Sequence, residues 1–114
     1  MALTSAACSD VTGIEEVRSE MLPPTSYQVL WDRVEDCSGR TGDFEGLSWF
    51  WVRSFPEGSN ALGQWNERHE ITLALAAVGN RGVVAHELLH ELLDGDPAHA
   101  DPAWDACGIP RGGS

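Results

Sequence analysis

Three observations predict an α+β domain for this chain. Tyr27, Leu30, Trp31 and Val34 fall at i, i+3, i+4 and i+7, the stripe of a helix buried on one side. Leu47 to Phe55 and Glu70 to Val78 carry the aromatic and alternating apolar patterns of strands. Val83 to Asp94 returns to helical periodicity between a glycine-bearing turn and Gly95. The expected architecture is a small antiparallel or mixed sheet packed on helices, in the order helix, helix, strand, strand, helix, tail.

Each element has a local reason. Residues 1–13 are small and polar and read as a lead-in, which leaves 14–114 as one domain. Ile14 to Leu22 is a short helix candidate that Pro23-Pro24 would stop. Thr25 or Ser26 is a suitable N-cap for the next helix, which runs to about Asp36. Ser38 to Gly46 is turn-rich, and Trp49, Phe50 and Trp51 mark the strand after it. Pro56 to Gly63 reads as a loop, because it gathers Gly58, Ser59 and Asn60. In the second strand, Ile71, Leu73, Leu75 and Ala77 alternate with Thr72, Ala74 and Ala76. Gly79-Asn80-Arg81-Gly82 breaks that pattern. Gly95 is the expected left-handed residue after the last helix, with Pro97 close behind.

Composition excludes several classes of partner. The chain has 18 acidic residues against 7 basic ones, a formal net charge of −11. Such a surface repels phosphate backbones, so nucleic acid is not an expected partner. It also offers no polybasic attraction to anionic lipid. No segment is apolar for long enough to span a membrane.

The most specific chemistry lies in His86-Glu87-Leu88-Leu89-His90, which reads H-E-x-x-H. Residues four apart lie one above the other on a helix, so both imidazoles leave from one face and can grip one zinc ion. Glu87 follows at about 100° and can reach a water there as general base. Leu88, Leu89, Leu92, Ala85 and Leu93 take most of the other side, a greasy back to a polar front.

A catalytic zinc needs a third protein ligand and an open fourth position. No Glu follows Glu91, and Glu91 itself points about 140° away from His86, so the downstream-Glu arrangement is excluded. The spacing H-E-x-x-H-x-x-G-x-x-H would put Leu93 at its glycine and Asp96 at the third ligand. His99, nine residues after His90, is the leading candidate, because Gly95 and Pro97 let the chain fold back over the helix end. Asp96 and Asp101 remain alternatives. Asp94, one turn past His90, is a candidate acceptor for a ligand imidazole. His69 reads as a strand-edge residue, and nothing in the sequence brings Tyr27, the sole tyrosine, to the site.

These residues resemble the zincin metallopeptidases, and among them the short SprT-like kind: H-E-x-x-H, a third His, then an aromatic, here His86, Glu87, His90, His99 and Trp104. This chain departs from that pattern in having Ala100 after the third His and its aromatic five residues on. The segment from His86 to Gly108 looks closer to small exported bacterial proteins carrying H-E-x-L-H-x-L-L-x-G-D-x-x-H, then Pro, an aromatic and Cys-Gly. That resemblance covers roughly a fifth of the chain. It implies a minimal zincin-like fold, zinc as cofactor, a peptide or protein substrate, and hydrolysis with Glu87 as base. In zincins an edge strand beside the helix aligns substrate, and Glu70 to Val78 is the candidate here. The alternative is a zinc-stabilised binding or scaffold domain of the cell envelope that does no turnover.

Three cysteines bear on compartment. A Cys37–Cys107 disulfide would pin the C-terminal tail to the body and fits an exported protein; Cys8–Cys37 is the competing pair. Small residues before Cys8 resemble a relaxed lipoprotein cleavage site, which makes Cys8 a candidate lipid anchor. A monomer is expected.

Overall fold

The computed structural model describes residues 18–56 and 61–112. The lead-in, Cys8 and the first residues of the expected N-terminal helix lie outside them. A four-stranded mixed sheet carries helices, as the α+β expectation requires. Its strands are β1 (Ser19–Glu20), β2 (Ser48–Val52), β3 (Gly63–Asn66) and β4 (Glu70–Ala74), in the spatial order β1-β2-β4-β3. The helices are α1 (Thr25–Ser38), α2 (Arg81–Leu93) and the short α3 (Ala103–Ala106).

The expected helix up to Leu22 is not formed over its described part. Ser19 and Glu20 pair antiparallel with Trp51 and Phe50 of β2 instead. The competing interactions are tertiary. Met21 N–H donates to the Trp49 carbonyl at 3.0 Å. The Arg18 guanidinium lies 3.7 Å from the Phe50 ring centre and binds Glu70 at 3.2 Å. Pro23 also pushes the residue before it toward extended backbone. Pro24 then takes the N-cap position of α1, so neither Thr25 nor Ser26 does; the stripe Tyr27, Leu30, Trp31 and Val34 is buried as its period requires.

Both strands seen in the sequence are shorter than their patterns. The alanine-rich Leu75–Ala77 closes into a 3₁₀ turn rather than extending β4. Val52, Phe55, Ala74 and Ala77 form a small second apolar cluster there. β3 has no counterpart in the sequence reading, because Gly63-Gln64-Trp65-Asn66 holds one apolar residue and no alternation. It is a strand because β4 offers it an antiparallel ladder, Gly63 opposite Leu73 through Asn66 opposite Glu70. β2 runs parallel to β4 on the other side. β4 is therefore central, with Ile71 through Ala74 all buried, as expected of a strand covered on both faces.

The main core lies between the sheet and the two long helices. It joins the α1 stripe to Trp49, Ile71 and Leu73 and to Val84, Leu88, Leu89 and Leu92 of α2. Trp104 and Ile109 close it from the C-terminal side. Cys37 and Cys107 form a disulfide that ties the end of α1 to the end of α3. The bond spans 70 residues, for which the loop-entropy model gives about 4 kcal/mol of stabilisation. Among the described residues, no helix is long and apolar enough to cross a membrane.

Candidate metal centre

α2 brings two imidazoles and a carboxylate into the interior together. Asn80 caps it, its side-chain oxygen accepting from Val83 N–H at 3.1 Å. The leucine face meets the core as expected, but the polar face is covered too: His86, Glu87 and His90 are 7%, 1% and 4% exposed. The chain beyond the helix covers the histidines, and β3 covers Glu87.

That chain turns sharply. Asp94, not Gly95, takes the left-handed end position at φ 55°, and Gly95 follows at φ 123°, a value that suits glycine alone. Asp96 and His99 also have positive φ, 61° and 55°. The reversal swings His99 back over α2. Its Nε2 lies 3.2 Å from Nε2 of His86 and 3.2 Å from Nε2 of His90. The three residues form a cluster able to hold a metal ion.

Backbone oxygens orient the two helix rings. His86 Nδ1 lies 3.1 Å from the Pro110 carbonyl, and His90 Nδ1 lies 2.6 Å from the Gly95 carbonyl. A carbonyl only accepts, so both Nδ1 atoms carry the proton. Both Nε2 atoms then turn lone pairs toward His99. Asp94 was the expected acceptor for a ligand ring; carbonyls take that role beside His86 and His90, while Asp94 is exposed at the helix end.

Trp104 is the floor. It is fully buried, and its ring centre lies 4.8 Å from that of His86, 5.1 Å from His90 and 4.8 Å from His99. Its Nε1–H donates to Asp96 at 2.8 Å. The Asp96 carboxylate also accepts from Ala100 N–H at 3.1 Å and Asp101 N–H at 3.0 Å. With those donors the Asp96 pKa falls to about 2. Asp101 accepts from Ala103 N–H and from Arg40, each at 2.8 Å. The two alternative ligands thus build the loop, and His99 is the residue brought to the imidazole pair.

β3 forms the near wall. The Gly63 position touches Glu87: a Cβ there would sit 3.0 Å from Glu87 Oε2 and 3.2 Å from Val83. Glu91 points away from the imidazoles and holds this wall, accepting from Trp65 Nε1–H at 2.6 Å and lying 2.8 Å from His69 Nδ1. His69 is otherwise exposed. A cleft of about 590 Å³ opens beside His90 between Trp65, Asn66 and Arg68 on one side and Asp94, Asp96 and Pro97 on the other. The edge strand beside α2 is β3, since β4, the strand expected there, is paired on both sides. Tyr27 lies in the core and donates to the Val78 carbonyl; burial raises its pKa.

The sequence alone does not single out Gly63, Trp65 or Pro110. A lone glycine before an unpatterned segment, and a backbone carbonyl in a tail, leave no periodic signal. No family model matches this chain, and neither a curated protein nor a solved structure matches it.

Proposed function

We propose that this chain is a small zinc-dependent endopeptidase, with His86, His90 and His99 holding the metal and Glu87 acting as general base. The observation that carries the reading is the convergence of three Nε2 atoms, two of them with their lone pairs fixed inward by Nδ1 contacts to carbonyls. Two nitrogens on one tetrahedral zinc stand about 3.3 Å apart, close to the spacing found. Three histidines also leave a fourth position for solvent or substrate.

Bound zinc supplies Lewis acidity, which acidifies water and polarises a carbonyl. The chain supplies the rest. Glu87, adjacent to the first ligand and buried against Gly63, takes a proton on its carboxylate and can return it to the leaving amine. β3 is paired to β4 along one edge and ends the sheet at the other, while its Gly63 faces Glu87 of α2, so an extended peptide adding to the outer edge would lie beside the centre. Trp65 and the cleft beside His90 would receive a side chain of that peptide. The Cys37–Cys107 disulfide fits an exported setting.

The packing of all three rings on a core tryptophan favours a second reading, a binding domain that uses the metal to hold its fold. Turnover separates the two. The zinc-loaded chain should cleave an unstructured protein such as casein, and Glu87→Gln should keep its zinc while losing at least about 100-fold in rate. Zinc binding without cleavage of any unstructured substrate would favour the binding domain. Equal cleavage by the Gln variant would remove Glu87 from the chemistry.

A further inference from the structure

We infer that Arg111 is a positioning residue for this centre: its guanidinium fixes the backbone of the third ligand, His99. The inference rests on the three-imidazole reading above. His86 and His90 inherit their places from α2. His99 does not; it lies in a loop at φ 55°, a minor region that residues with a Cβ adopt at a cost, histidine more readily than most, so contacts around it are needed to hold it.

One imposed contact is local, His99 N–H to the Asp96 carbonyl at 2.9 Å. The other comes from 12 residues further on. Arg111 Nε–H donates to the His99 carbonyl at 2.8 Å, while its Nη1–H donates to Asp105 of α3 at 2.6 Å. A planar guanidinium can make both bonds at once because its donors point in different fixed directions. It thus bridges the ligand loop to α3, whose Trp104 supports the rings. The neighbouring residues are committed to the same centre. Pro110 gives its carbonyl to His86, and Ile109 is buried with its N–H on the Trp104 carbonyl at 2.9 Å. Residues 109–111 therefore hold two of the three ligands from outside.

Removing the guanidinium leaves the local turn, the disulfide and the core in place, so the fold should survive while the metal site loosens. Groups that orient ligands typically change metal affinity by about 10- to 100-fold. The test is zinc affinity of the full chain by competition with a chromophoric chelator, with the visible spectrum of the cobalt(II) form as reporter of ligand geometry. Arg111→Ala should bind zinc about 10-fold or more weakly and change the cobalt band, with an unchanged urea midpoint for the metal-free chain. Arg111→Lys should recover part of the loss, since an ammonium can still donate to the carbonyl. Asp105→Asn, at an exposed site, should give a smaller loss in the same direction. Parent-like zinc affinity in Arg111→Ala would overturn the assignment and leave the three-imidazole reading standing. So would an affinity loss that only follows a lowered urea midpoint and that Lys does not recover. A parent chain that binds no zinc would instead remove the reading itself.

Discussion

The two halves of the centre are built by different means. His86 and His90 sit on α2, where a repeat of four residues puts both rings on one face before any tertiary contact forms. His99 sits in a loop of consecutive turns, three of whose non-glycine residues have positive φ. That loop is held by Asp96, Trp104, Arg111 and a disulfide reached through α3. The helical half is encoded locally and inexpensive to hold. The loop half depends on residues spread from Cys37 to Arg111. The third imidazole reaches the pair without a further helix because several distant contacts converge on one turn.

Glycine substitution at the two kinds of histidine should test the contrast most severely. His90→Gly and His99→Gly should each abolish stoichiometric zinc, measured on purified protein. Their metal-free chains should differ. Replacing histidine by glycine within α2 costs about 0.4 kcal/mol in helix propensity, and a buried ring is lost as well. At position 99 glycine relieves the left-handed backbone and offsets the loss of a half-exposed ring. Urea unfolding with chelator present should therefore show His90→Gly destabilised by about 2 kcal/mol or more, and His99→Gly within about 1 kcal/mol of the parent. Equal destabilisation would mean that the loop is no more strained than the helix.

Cutting the disulfide should separate the halves next. Cys37→Ser with Cys107→Ser should lower stability by up to about 4 kcal/mol, read from urea unfolding without metal. The released α3 carries Trp104, so zinc affinity should fall with it. Unchanged affinity would show that the loop half is fixed by non-covalent contacts alone.

Acid should act on the loop half with the smallest effect. The folded pKa of Asp96 is depressed from 3.8 to about 2 by the donors around it. A depressed folded value means that the ionised group contributes fully above the unfolded value and is lost as pH falls through the folded one. The Asp96 contribution should thus be complete above pH 3.8 and disappear as pH drops through about 2. Asp96→Asn should be less stable than the parent above pH 4, and the gap should close toward pH 2. Near-UV circular dichroism of the metal-free chain, which sees Trp104, follows this. A gap that stays constant across that range would assign the Asp96 contribution to shape rather than charge.

The same division runs through what could be read in advance. The α1 stripe, the body of β2, the core of β4 and the span of α2 were legible, because each rests on a period that a few residues display. β3 was not legible, because its strand character comes from the ladder with β4. The extended Ser19–Glu20 was read as helix because its partner, β2, is some thirty residues away in sequence. Cys37–Cys107 was the favoured pair, and the structure contains it.

The sequence by itself determined the paired imidazoles and the carboxylate between them, and left His99, Asp96 and Asp101 as candidates for the third position, since helix geometry acts over a few residues. Only the tertiary structure decided that His99 closes the trio, that carbonyls of Gly95 and Pro110 orient the rings, and that β3 stands at the sheet edge. The physical reason is range. Backbone periodicity is a near-neighbour property, whereas a carbonyl, a glycine or an arginine gains its role only from what folding brings against it.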